Sequence, residues 1–200
     1  TVFMERKVFR TLELDGLVLT PAFASAAIWG GKTSESLRIQ RIVAKAVKLE
    51  LGAAVLPALD IEVPMTADGA VQSILLTNGE RKLQAKIEPD GKRARIELSV
   101  ESLPSPLGTT FMLQDFSGKG ILTAGDLTFS EFEGRAFDGF IGGNIRLRWG
   151  TTFALDGEIN ARQIDVSKIA GPLLSGGRLE GKGVYAARAD AADKLLGAAR

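Results

Sequence analysis

In residues 92–100, Ala94, Ile96, Leu98 and Val100 fall on one side of the chain, while Arg93, Arg95, Glu97 and Ser99 fall on the other. A period of two is the repeat of a β-strand, whose successive side chains point to opposite faces, and it fits no helix. The preceding run repeats the pattern, with Leu83, Ala85 and Ile87 opposed to Lys82, Gln84, Lys86 and Glu88. Between them stands Asp90-Gly91, a pair that tolerates the positive φ of a tight turn. The two runs predict a hairpin with one apolar and one wet face.

The same alternation recurs along the chain. Ile121, Thr123, Leu127 and Phe129 read as one face; Ile145, Leu147 and Trp149 oppose Arg146 and Arg148; Phe153, Leu155 and Ile159 oppose Asp156 and Glu158. Segments 2–10, 12–19 and 37–51 also read as strands, the last long enough to need a bulge where Gln40-Arg41 shifts the phase. Asp68-Gly69, Asn78-Gly79, Asp138-Gly139 and Asp156-Gly157 mark further hairpins or bulges. A helical period is confined to 164–174, where Asp165 can cap, to the Ala-rich 189–199, and more weakly to 22–29. The expectation is a single all-β domain over residues 1–200, mainly antiparallel, with one to three short helices. Two architectures satisfy it: a curved, taco-like sheet with an apolar concave face, or a closed β-sandwich. Alternation does not separate them, because both need one apolar face per strand.

Composition narrows the chemistry. The chain has no His and no Cys, which removes imidazole bases, thiolate nucleophiles and the usual zinc ligands. Its net charge is +1, so no field of one sign is present to hold a nucleic-acid backbone. The apolar stretches 21–29 and 53–59 are too short to span a bilayer. The chain opens at Thr1 inside an alternating pattern and reads as an excised piece whose targeting segment lies outside it. Glu131 and Glu133, two apart on a strand, could share a water or cation, but a solvated face accounts for them better. Gly142-Gly143 and Gly176-Gly177 lack the surroundings of a phosphate loop and read as bulges or turns. Arg93 with Arg95, and Arg146 with Arg148, are candidates for anionic headgroups or a partner protein, with Glu97, Asp156 and Glu158 near enough in sequence to neutralise them. No catalytic residue, metal or cofactor is expected.

The order of the second half carries a resemblance. A Gly-rich strand (Phe116-Ser117-Gly118-Lys119-Gly120-Ile121-Leu122) precedes an alternating strand ending in Trp149. Then come the strand at Phe153-Ala154-Leu155-Asp156-Gly157-Glu158-Ile159, a short helix opening at Ile164-Asp165-Val166, and the strand Leu179-Glu180-Gly181-Lys182-Gly183. Over residues 113–185 this succession resembles the C-terminal repeat of AsmA-like proteins of Gram-negative envelopes. Residues 59–103 fit the pattern less specifically, and 1–51 only as more strands.

The resemblance implies a periplasmic module of a longer, inner-membrane-anchored chain, related to bridge-like proteins that carry phospholipid between membranes. It implies a taco-shaped sheet whose apolar face shelters acyl chains, with phospholipid or another envelope lipid as partner, no nucleic acid, and no enzyme activity. The groove candidates from alternation are Leu83, Ile87, Ile96, Leu98, Ile121, Leu127, Phe129, Ile145, Leu147, Trp149, Phe153 and Leu155. The alternative is a structural or assembly module that binds other envelope proteins through a strand edge or the arginine pairs.

Overall fold

The structure is a computed structural model that describes residues 7–20, 37–49, 57–104, 112–170, 176–191 and 194–195. Its strands are β1 (Lys7–Phe9), β2 (Leu12–Asp15), β3 (Val18–Leu19), β4 (Leu37–Ile39), β5 (Arg41–Leu49), β6 (Leu59–Pro64) and β7 (Ile74–Asn78). They continue as β8 (Leu83–Asp90), β9 (Arg93–Pro104), β10 (Met112–Leu122), β11 (Asp126–Ala136), β12 (Gly139–Arg148), β13 (Phe153–Asp165) and β14 (Arg178–Ala189). One short helix, α1 (Val166–Ala170), separates the last two.

From β5 to β14 every strand pairs antiparallel with the next in sequence, so the sheet is a long meander that is not closed into a barrel. Short turns make this possible. Asp68-Gly69, Asn78-Gly79, Asp90-Gly91 and Asp138-Gly139 lie at the junctions between consecutive strands, as expected. Buried Asn78 accepts from the Leu83 amide at 3.0 Å and closes the β7–β8 turn. Asp156-Gly157 departs from the expectation, because it lies inside β13 with Gly157 paired to Ile145 and Tyr185.

The N-terminal edge also departs from the antiparallel pattern. Lys7 faces Leu37, Leu12 faces Ile42 and Val18 faces Lys48, all parallel and at one constant offset. Segments 7–19 and 37–49 therefore act as one long parallel pair, broken locally at Gln40 and at Gly16, whose φ is 65°. Of the three helices expected, 164–174 contains α1, where the Asp165 carboxylate accepts from the Ser167 amide at 3.0 Å and hydroxyl at 2.6 Å. The segment 22–29 and most of 189–199 lie outside the described residues, as do 2–6, Glu50 and Leu51.

Four strands contain a register shift: β5 between Ala44 and Val47, β10 between Gln114 and Ser117, β11 between Phe129 and Phe132, and β13 between Ala161 and Ile164. Each shift adds one residue to one strand, so that apolar residues three apart, such as Ala44 and Val47 or Phe129 and Phe132, stay on the same face. Ala46, Asp115 and Gln163 take up the local distortion with φ of 52°, 47° and 56°.

One correction follows from this register. Ile121 does not share a face with Leu127 and Phe129; it pairs with Arg95 and Thr128, lies on the charged side and is 38% exposed. The apolar phase of β10 runs through Phe116, Gly118, Gly120 and Leu122, opposite Val100, Leu98, Ile96 and Ala94. Glycine hides that phase from a hydropathy reading. The space is taken by a neighbour: a Cβ on Gly118 would sit 2.9 Å from Cδ1 of Phe129. The Phe129 ring leans over β10, meets Phe116 edge-on at 6.2 Å and joins the cluster of Ile74, Ile87, Ala94 and Ile96. Phe116 in turn stacks on Phe132 at 5.6 Å within the cluster of Leu59, Leu83 and Val100.

Gly118→Val should therefore cost about 1–3 kcal/mol of stability through overpacking. Gly181→Ala, where an added Cβ meets nothing within 4 Å, should stay within about 0.5 kcal/mol of the parent. Urea unfolding of the two variants checks the contrast, and equal losses would show that Phe129 does not fill the space over Gly118.

Candidate functional site

Register places most apolar positions of the eleven strands of the main path on one face, with Leu75, Ile121, Phe140 and Val184 on the other. Leu12, Ile42 and Val63 lie there at one edge, and Leu155 and Ala187 at the other. Burial along that face is uneven. Of the groove candidates, Leu83, Ile87, Ile96, Phe129 and Leu155 are buried, and Leu98, Leu127, Ile145, Leu147 and Phe153 are half-buried. From β5 to β11 the face is mostly buried, with Val47 and Ala94 at 0% exposure, while Ile42, Ile61, Val63, Leu76, Leu98, Leu122 and Leu127 are half-buried.

The face is less covered from β12 to β14, although Leu155, Ile164 and Ala187 are buried there. Ile141, Ile145, Leu147 and Ile159 are half-buried, and Leu179 is 45% exposed. Glycines interleave with these side chains across the strands: Ile159 stands between Gly143 and Gly183, and Gly157 between Ile145 and Tyr185. The result is a low relief of aliphatic side chains and bare backbone. At one end Leu195 closes it, fully buried against Leu155 and Ala187.

Tyr185 lies over Gly157 and donates its hydroxyl to the Asn144 carbonyl at 3.0 Å, spanning β13 from β14 to β12. Burial, with a smaller contribution from the Asp156 charge, pushes its phenol up to about 12. Trp149 lies just beyond β12; its indole N–H donates to the Ala124 carbonyl at 2.9 Å and its amide to Gly125 at 3.0 Å. It therefore clamps the β10–β11 turn at the end of the apolar face.

The opposite face is charged. Arg95 meets Glu88 directly across the β8–β9 pair at 3.4 Å, Arg146 meets Asp126 at 3.4 Å, and Arg148 meets Asp156. Arg93 faces Asp90 in register and makes no ion pair among the described residues. Of the acids expected to neutralise these arginines, Asp156 does so, while Glu97 pairs with Lys119 at 3.2 Å. Lys86 holds the Glu88 carboxyl below its ordinary value, with burial opposing it and Arg95 adding a smaller contribution in the same direction as Lys86.

A concavity of about 870 Å³ lies on this charged face, across β7 to β11. It contains both Glu131 and Glu133; Glu131 faces Lys119 in register, and Glu133 accepts from the Ser117 hydroxyl at 3.4 Å. The β11 register shift leaves Ser130 and Glu131 both exposed. No cluster of three or more potential metal ligands exists among the described residues. Gly142-Gly143 lies within β12 and Gly176-Gly177 just before β14.

Sequence reasoning missed this concavity, which arises from curvature over five strands and leaves no local pattern. It also missed Arg135, whose guanidinium lies 5.4 Å from the centroid of exposed Phe140, itself paired in register with Arg162. No family model, curated protein or solved structure matches the chain.

Tyr185 is the only tyrosine, so absorbance titration reads it directly. A pKa near 12 is expected in the folded protein and near the usual value of about 10 in urea. Because the folded value is the raised one, the stabilisation it confers is complete below about pH 10 and is lost as pH rises through 12. A folded value near 10 would contradict the burial of the phenol over Gly157.

Proposed function

We propose that this chain is a non-catalytic module that shelters acyl chains on the β12–β14 part of its apolar face. The observation that carries the reading is a continuous apolar face that is mostly buried as far as β11 and less covered over β12 to β14, where Ile141, Ile145, Leu147 and Ile159 are half-buried and Leu179 is 45% exposed. A hydrocarbon chain laid there gains about 0.8 kcal/mol per methylene removed from water, and no covalent step is needed. The interleaved glycines keep the surface low enough for a chain to lie along it. The resemblance of residues 113–185 to AsmA-like envelope proteins supports the same reading and implies a phospholipid or other envelope lipid as partner and the periplasm as compartment, in a parent protein anchored in the inner membrane. Arg95, Arg146 and Arg148 stand on the other face, paired with carboxylates in exposed ion pairs worth about 0–1 kcal/mol, and can exchange those partners for an anionic group.

A specific observation favours a second reading, an assembly module. Most of the apolar face, from Val47 to Phe132, is already filled by the protein's own side chains. That is what a scaffold requires.

A photo-reactive residue at Leu147 or Ile159, irradiated in the envelope, separates the two. The lipid reading expects phospholipid adducts at both positions and none at Ile121 on the charged face. Charge reversal of Arg93, Arg95, Arg146 and Arg148 to Glu should leave those adducts nearly unchanged. Protein adducts without lipid at Leu147 and Ile159 would establish the scaffold instead.

A further inference from the structure

The concavity on the charged face serves nothing in the acyl-chain reading, which uses the other side of the sheet. Two rows of side chains, each running across the strands in register, form its floor. One is Thr77, Gln84, Ser99 and Ser117, ending at Glu133. The other is Lys86, Glu97, Lys119 and Glu131, in which the sign alternates at every step. From β7 to β11 the rows span about 19 Å, at about 4.8 Å per strand. The volume of about 870 Å³ lies within the range of about 300–1,000 Å³ typical of small-molecule sites.

We propose that this trough binds a neutral, hydroxyl-rich chain, an oligosaccharide lying across the strands. The alternating charges of the second row cancel in register and Glu133 leaves the trough with three carboxylates against two lysines, so a polyanion finds no attraction there and a polycation only a weak one. Leu75 is the one large apolar side chain that the floor turns outward. The backbone amides and carbonyls of the floor are spent on the ladder between strands, so a peptide main chain has nothing to pair with. What remains is a set of uncommitted side-chain groups. The side chains of Thr77, Ser99, Ser130 and Glu131 make no hydrogen bond or ion pair among the described residues. A hydroxyl both donates and accepts, and a carboxylate accepts at two oxygens, the complement to adjacent sugar hydroxyls. The β11 bulge brings Ser130 and Glu131 to the trough together.

The test is titration of the whole chain with cellohexaose, chitohexaose and maltohexaose, followed by backbone amide NMR. At least one should give saturable shifts confined to β7–β11. The double variant Ser99→Val and Glu131→Gln should weaken that binding at least tenfold, and Lys182→Gln, outside the trough, should not change it. If the double variant fails to fold, the shift map of the parent decides alone. The proposal is overturned if none of the three sugars gives saturable shifts, if the shifts lie away from the trough, or if heparin or an extended Ser/Ala peptide binds there as tightly. Lipid capture on the opposite face is measured separately, so the loss of either reading leaves the other standing.

Discussion

The separation of apolar from charged side chains holds only while every strand keeps its phase. With a side-chain period of two, a slip of one residue in any pairing would move that strand's whole apolar set to the wet face. Eleven strands in one path give ten chances for such a slip. The four register shifts matter for this reason. Each falls where the apolar spacing changes from two to three, at Ala44/Val47, Leu113/Phe116, Phe129/Phe132 and Ala161/Ile164, and each returns the following residues to the correct face. A bulge also sharpens local twist, so the same residues that keep the phase contribute to the curvature of the sheet.

Side-chain size then decides how each part of the face is finished. Over β8–β11 the Phe129 ring fills the space over Gly118 and the rings of Phe116, Phe129 and Phe132 pack on one another, which leaves all three at 4–6% exposure. Over β12–β14 the glycines at 143, 157, 181 and 183 stand among aliphatic side chains, and Tyr185 is the one aromatic ring that covers a glycine there. The same device, large beside small across a strand pair, gives a packed core in one half and an accessible apolar surface in the other. The acyl-chain reading rests on that second half. The oligosaccharide reading rests on curvature of the opposite face.

Much of the fold was legible from local pattern. The hairpin at Asp90-Gly91, the one-faced runs on either side of it, and the Asp165 cap needed only period and turn chemistry. The failures share a cause: glycine carries no hydropathy signal. Ile121 was placed on the wrong face because Gly118 and Gly120 occupy the true apolar phase of β10, and Asp156-Gly157 read as a turn because a mid-strand glycine opposite Tyr185 looks the same in sequence. The parallel pairing of segments 7–19 and 37–49 joins residues far apart in the chain and has no local signature. Of the candidate site, the apolar positions were readable, but how far each is covered depends on what packs over it. The arginine pairs were read as neutralised, and three of the four arginines are, through Glu88, Asp126 and Asp156.

The central claim is that hydrocarbon has access to one face of this sheet and to one part of that face. Methyl NMR of the protein with a spin-labelled fatty acid reads this directly. Paramagnetic broadening is predicted at Ile141, Ile145 and Ile159, with Ile121 and the 79%-exposed Val184 on the charged face unaffected. Broadening of equal strength on both faces, or none at Ile145 and Ile159, would contradict it.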